Sequence, residues 1–167
     1  MNTASHRPPL SVIVPAGDRA DVIEDCLQSV RWADEVIVVD SFSRDGTLAV
    51  AERYADRVLR HEYGYSALQK NWAIPQAAHA WVLIVDTDER VTTTLRAEIE
   101  AVLASDQPYT GYRVPRLNIV LGQPVRHAAY YPDYQVRLFQ RDAGRYTLRR
   151  VHAHVQLQGP CGTLQAP

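Results

Sequence analysis

Asp86, Asp88 and Glu89 place three carboxylates within four residues, directly after the apolar run W-V-L-I-V at 81–85. Such a run predicts a short strand buried on both faces. In extended backbone, residues two apart share a face, so Asp86 and Asp88 point the same way. Carboxylates crowded like this repel one another unless a cation lies between them. In an open α/β sheet, ligands bind beyond the C-terminal ends of the strands. Hard oxygen ligands at such a place suit Mg2+ or Mn2+, which is held by one or two carboxylates and completed by substrate phosphates. The same residues also fit a solvated acidic turn ahead of a helix capped by Thr92 or Thr93.

Five other positions carry chemistry. Asp40 ends a second apolar run. Lys70 is the one lysine beside 17 arginines; its compact ammonium suits a phosphate, although a solvated helix lysine is the plainer reading. Asp133, in Y-Y-P-D-Y-Q, is one of two acids in the last 57 residues. A carboxylate isolated amid tyrosines is expected to have its pKa raised by desolvation, which suits a general base. An aspartate after Pro132 is equally an ordinary turn residue. His152 and His154 lie two apart and fit a metal or phosphate site, but a structural or solvated pair is the simpler expectation.

These groups must be positioned by an alternating pattern of elements. Strands are predicted at 10–14, 35–39, 57–60 and 81–85. Between them, helices are expected from Asp21 as N-cap to Val30, from the loop 41–47 to about Tyr54, and over 66–78. Alternation of this kind gives a parallel sheet with helices on both faces. A further helix ends near Ala104. Beyond it the pattern changes to short strands at 112–120, 135–139 and 151–157, joined by turns and rich in tyrosine, including Tyr130 and Tyr131. The reading is one domain over 1–167, with a parallel α/β half at 10–104 and a smaller mixed or antiparallel half at 105–167. No closing helix follows, so a C-terminal truncation is expected.

Apolar residues at 46% and charged residues at 22% are ordinary for a globular chain. No apolar run is long enough for a membrane span, and the polar residues 1–9 do not read as a signal peptide, so a cytosolic chain is expected. Cys26 and Cys161 make no disulfide framework, and Cys26 fits an inert core thiol. The formal charge of -1 hides an asymmetry. Residues 1–110 hold 10 Lys and Arg against 17 Asp and Glu, whereas residues 111–167 hold 8 Arg against 2 Asp. A basic second half suggests an anionic partner such as phosphate groups or a membrane surface. Nucleic acid is disfavoured because the arginines follow no recognisable binding pattern. No G-x-G-x-x-G follows the first strand and no G-x-x-x-x-G-K-[ST] occurs, which argues against dinucleotide and P-loop chemistry.

In order along the chain stand V-I-V-P (12–15), V-V-D-S-x-S-x-D-G-T (38–47), Q-K-N-x-A (69–73) and V-D-T-D-E-R (85–90). This series resembles the family 2 glycosyltransferases, which share the GT-A nucleotide-diphospho-sugar transferase fold, a Rossmann-like, mostly parallel α/β sheet. The later Y-x-x-P-R-x-N (112–118), Y-P-D-Y-Q-V-R-L-F (131–139) and V-H-x-H (151–154) resemble the bacterial branch that adds glucose or heptose to the lipopolysaccharide inner core. The resemblance implies an inverting, metal-dependent transferase using a UDP-sugar. It implies a glycan or lipid-linked core oligosaccharide as acceptor, and a peripheral contact with the cytoplasmic face of the inner membrane.

Carried over by position, the resemblance places Pro15 and Asp40 at the nucleoside, and Gln69, Lys70 and Asn71 beside the nucleotide. Asp86 falls at the ribose and metal, and Asp88 at the metal on the diphosphate. Asp45 fits a helix cap. Arg113, Arg116, Arg126, Arg137 and Arg141 are available for acceptor phosphates, or are ordinary surface charge.

Three departures stand out. The family's usual V-H-E becomes Val151-His152-Ala153, which removes one candidate base and leaves Asp133. Its Y-N-E loop becomes Ala16-Gly17-Asp18. Phe42 takes the place of a glycine, so a left-handed backbone there is expected to be strained, and Arg44 offers an additional diphosphate contact. A degenerate nucleotide- or glycan-binding member and a sugar nucleotidyltransferase are the alternative readings; the second normally needs a glycine-rich loop that 15–18 does not supply.

Overall fold

The computed structural model describes residues 7–120, 123–125 and 132–167. Strand β1 (Leu10–Ala16) leads through α1 (Ile23–Val30) to β2 (Glu35–Asp40), and α2 (Thr47–Tyr54) leads to β3 (Arg57–Arg60). Helix α3 (Ser66–Ala73) and a 3-10 turn (Ile74–Gln76) bring the chain to β4 (Trp81–Ile84). These four strands are parallel. After α4 (Thr93–Leu103) come β5 (Gly111–Arg116), β6 (Asn118–Val120), β7 (Gln123–Val125), β8 (Asp133–Gln140), β9 (Gly144–Tyr146), β10 (Val155–Leu157) and β11 (Cys161–Thr163).

Strand β8 runs antiparallel between β4 and β5, and β11 joins β5 in parallel. One seven-stranded sheet results, in the order β11-β5-β8-β4-β1-β2-β3. Two small antiparallel pairs, β6 with β7 and β10 with β9, lie outside it.

The alternation of side chains along each strand fills two cores. On one face Leu10, Val12, Val14, Val36, Val38 and Leu83 meet Ile23, Leu27 and Val30 of α1, Ala51 of α2 and Leu95 and Ile99 of α4. On the other, Ile13, Ile37, Val39, Val82, Ile84 and Phe139 meet Ala67 and Ala73 of α3, with Tyr146 and Val155. The apolar runs are continuous because both faces are covered, and β3, an edge strand, carries exposed arginines instead.

Three expectations are corrected, and one strand is found that the sequence reading lacked. Asp21 does not cap α1, which starts at Ile23 with Val22 in the cap position and no side-chain cap. An Arg19–Val22 turn leaves Asp21 outside, paired with Arg19 at 3.6 Å. The helix expected over 66–78 stops at Ala73, because Pro75 lacks an amide and disfavours helix at the residue before it. The strand expected at 151–157 begins only at Val155, and His152 sits at φ +53 in irregular chain. His152 and His154 therefore share no strand face. Finally, the tail holds strand β11, where a Cβ on Gly162 would come within 2.6 Å of the Tyr112 ring. Thr92 does cap α4, accepting from the Leu95 amide at 3.1 Å. Tyr130, Tyr131 and Arg126 lie outside the described residues.

Candidate active site

Because β4, β1 and β2 are neighbours, their C-terminal ends bring Asp86–Asp88, Pro15–Gly17 and Ser41 side by side. They open on a cleft of about 550 Å³ that Gln69 and Lys70 of α3 also line. Five of the residues read from the sequence thus meet: Pro15, Gln69, Lys70, Asp86 and Asp88. Asp40, Asn71 and Asp133 do not line this cleft.

Asp40 is fully buried, with its carboxylate accepting from the Ser43 amide at 3.2 Å and facing Arg60 Nε at 3.6 Å. It shapes the 41–47 loop from beneath. Gln69 donates to the Val39 carbonyl at 3.2 Å and Ser41 Oγ at 2.6 Å, fastening α3 to the end of β2. Asn71 donates to the Tyr146 carbonyl and accepts from the Tyr146 amide, both at 2.8 Å, so its amide is spent on joining α3 to β9. Asp45 accepts from the Thr47 amide at 2.9 Å and from the Ala20 amide at 3.0 Å, but the cap position of α2 is Gly46, with no side-chain cap. Arg44 is exposed and its amide is tied to Asp18 at 2.7 Å; it does not line the cleft. Phe42 has the expected left-handed backbone, φ +58, and its half-exposed ring lies 4.7 Å from the Arg60 guanidinium.

Asp86 is the electrostatic centre. Lys70 Nζ lies 2.7 Å from its Oδ1 and Arg137 Nη2 2.9 Å from its Oδ2. Burial works against its charge, but Arg137 and Lys70 override burial and hold the carboxyl well below the usual range. Lys70, 6% exposed, is itself pressed downward by burial while Asp86 pulls the other way. Arg137 Nη2 also reaches Glu89 Oε1 at 2.6 Å. Burial pushes the Glu89 carboxyl up, against the pull of Arg137. From Glu89 the series continues to Arg116, 3.8 Å away, and from Arg116 to Asp133. Lys70, Asp86, Arg137, Glu89, Arg116 and Asp133 form one chain of alternating charge. Tyr146 lies against it, its ring 5.2 Å from Lys70 Nζ, and burial raises its phenol to about 12.

That chain leads into a second, more apolar cavity of about 930 Å³, walled by Leu83, Val85, Leu95, Val114, Arg116 and Arg137 among others. Asp86 and Asp88 line both cavities. Asp88 is exposed and makes no ion pair among the described residues. No group of three or more His, Cys, Asp or Glu among the described residues forms a closed metal site. One free carboxylate with a neutralised one beside it fits a divalent ion that takes most of its ligands from substrate phosphates and water.

The expected rise in the Asp133 pKa is overturned. Arg116 hydrogen-bonds its carboxylate, with Nε at 3.1 Å, and Gln135 donates at 3.0 Å, which together hold it below the usual range against desolvation. Of the arginines available for acceptor phosphates, Arg116 and Arg137 share the larger cavity, whereas Arg113 and Arg141 lie outside it. Arg137 is buried in the ion chain, Arg116 is paired, Arg141 binds Asp142 and the Ala77 carbonyl, and Arg113 contacts Thr163. Ala153 is half-buried against the second core. Cys26 is buried, its thiol pushed up to about 12, as an inert core residue would be.

Arg137 and Glu89 are the site residues that sequence reasoning underrated. Arg137 reads as one face of an alternating strand. Only the antiparallel register of β8 on β4, with Leu138 opposite Leu83, places it beside Asp86.

The sequence profile of Glycosyl transferase family 2 matches residues 11–153. The lipopolysaccharide core biosynthesis glycosyltransferase LpsC of Rhizobium meliloti is 30% identical over 161 residues, 92% of this chain; the chain spans 59% of that relative's length. Among solved structures, residues 1–349 of S. aureus TarS in complex with UDP-GlcNAc superpose with a TM-score of 0.63 at 22% identity, covering 80% of this chain and 45% of that one. The mannosyltransferase PcManGT from Pyrobaculum calidifontis, in complex with GDP-Man and Mn2+, gives 0.55 at 29% identity, covering 66% and 35%. The sheet is that of the GT-A fold. The chain belongs to glycosyl transferase family 2.

Proposed function

We propose that this chain is the donor-binding and catalytic part of a divalent-cation-dependent, inverting glycosyltransferase. It takes a sugar such as glucose from a nucleoside diphosphate, UDP in the leading case, and passes it to a glycan or lipopolysaccharide-core acceptor. The observation that carries this reading is the Asp86–Asp88 step shared by two cavities, because a transferase must hold donor and acceptor on either side of one reacting carbon. The likeness to LpsC and the UDP-GlcNAc and GDP-Man complexes of TarS and PcManGT support the donor and acceptor classes.

The diphosphate lies at Lys70 and Asp88, and the acceptor enters from the 930 Å³ side. The acceptor oxygen bonds to the anomeric carbon as the bond from that carbon to the diphosphate oxygen breaks, with inversion. Asp133, which lines neither cavity itself but is hydrogen-bonded to Arg116 on the wall of the larger one, is the proposed acceptor of the hydroxyl proton. Arg116 lowers its carboxyl further below the usual range, which limits its driving force as a base. Asp88 with Asp86 would hold Mg2+ or Mn2+, which would supply Lewis-acid stabilisation to the departing diphosphate. Lys70 places a fixed cation beside the same charge. Work at the cytoplasmic face of the inner membrane is part of this reading, supported by the likeness to a lipopolysaccharide core glycosyltransferase.

Calorimetric titration of UDP with Mn2+ and with EDTA, on the unaltered chain and on Asp88→Ala, tests the reading. Metal-dependent binding that disappears in the variant is expected. Absence of UDP binding in both conditions would sink a UDP donor.

A second reading, nucleotide or glycan binding without turnover, is favoured by Ala153 and by the grip of Arg116 on Asp133. Transfer activity that appears only on Ala153→Glu would support it. Turnover of UDP-glucose by the unaltered chain would remove it.

A further inference from the structure

Tyr63 is the one aromatic side chain among the described residues lining the 550 Å³ cleft, and at 60% exposure it is among the most exposed large apolar residues described. It follows β3, on the loop leading into α3. Along the sheet, β4 with Asp86 and Asp88 is separated from β3 by β1 and β2. Three strand spacings put the two ends of the cleft about 14 Å apart. That is the span of a nucleoside diphosphate lying across the strand ends. Lys70, with the cation that the aspartates would hold, takes the anion at the β4 end, so the base falls at the β2–β3 end, against Ser41 and Tyr63. A flat, weakly polar base presents a π face there, and an exposed tyrosine ring is the surface that such a face stacks upon.

We propose that Tyr63 is the stacking platform for the donor's nucleobase. This rests on the donor reading above and adds to it the residue that distinguishes a nucleotide from a bare diphosphate. A stack is tolerant of base identity, so Tyr63 contributes affinity, while choice among bases falls to the polar groups at the edge of the cleft.

The experiment compares UDP and inorganic pyrophosphate, each titrated calorimetrically with Mn2+, on the unaltered chain, Tyr63→Ala and Tyr63→Phe. Tyr63→Ala is expected to weaken UDP by about 5- to 150-fold, the range for losing one base–aromatic stack. Pyrophosphate is expected to bind all three alike, and Tyr63→Phe to keep UDP affinity within about two-fold, because the ring and not the hydroxyl makes the stack. Thermal melts of the three proteins should coincide, as an exposed side chain carries little stability. Unchanged UDP affinity in Tyr63→Ala, or equal losses for UDP and pyrophosphate, overturns the stacking role while leaving the donor reading in place. Failure of the unaltered chain to bind UDP overturns both.

Discussion

Asp86 owes its depressed pKa to its neighbours. Lys70 and Arg137 each hold one of its oxygens, and both cations are buried, while the Asp86 side chain itself is 33% exposed. A buried pair contributes little against an apolar substitute, yet removing one partner leaves an uncompensated charge. Arg137→Met therefore strands Glu89 and half of Asp86, and is expected to lower unfolding free energy by about 3–5 kcal/mol in urea titrations. The double variant with Glu89→Gln should recover part of that loss, since it removes the stranded charge as well. A loss below about 1 kcal/mol for Arg137→Met alone would mean that water already screens the site. Phe42 is the other costly residue. A left-handed non-glycine backbone costs about 1–2 kcal/mol, and the Arg60 guanidinium over its ring offsets part of it.

At the scale of elements, the site depends on two joints. Asn71 binds both backbone groups of Tyr146, so α3, which carries Lys70, is fastened to β9. Asn71→Ala should cost about 1–3 kcal/mol and weaken diphosphate binding together, because Lys70 and Tyr146 lose their common support. Asn71→Ala that weakens diphosphate binding with no change in the melt would show that its role is direct contact. Strand β11 seats Gly162 under the Tyr112 ring, and Gly162→Ala is expected to destabilise by about 1–3 kcal/mol, measured by thermal denaturation.

These joints mark what the sequence could convey. The parallel half was legible because each apolar run ends in an acid or a turn, and because both faces of the sheet are covered. Pro75 was equally legible as a helix stop, but the apolar periodicity through Ala78 outweighed it. Strand β11 has two glycines and prolines around three residues, too little pattern to register locally. The place of Arg137 follows from pairing between strands more than fifty residues apart, which no local pattern encodes. Asp133 was judged by its tyrosine neighbours in sequence, whereas its neighbours in space are Arg116 and Gln135.

For the whole molecule, acid sensitivity follows from paired carboxylates. Asp34 accepts from Arg7 and the Leu10 amide, and Glu35 from Ser11, the Ala78 amide and Arg57. Desolvation opposes the shift in each, but these bonds bring both below their usual values, as Arg137 and Lys70 do for Asp86. A depressed folded-state pKa gives stability that is complete above the unfolded value, about 4, and is lost as pH falls through the folded one. Glu89, raised by burial, runs the other way and is a single group against several. Stability should thus be level near neutrality and fall below about pH 4 in circular-dichroism melts. A midpoint unchanged down to pH 3 would contradict it.

The alternating series from Lys70 to Asp133 holds three cations and three anions, so in the free chain it is balanced. A ligand that recruits Lys70 or Asp86 at one end leaves an odd charge to be met at the other. On the donor and acceptor reading proposed above, ligands at the two ends of the series would be thermodynamically linked, and such linkage is reciprocal. Whatever factor a nucleoside diphosphate imposes on acceptor affinity, the acceptor must impose on the nucleoside diphosphate. An order of addition seen in kinetics would then reflect shared electroneutrality, with no moving lid required.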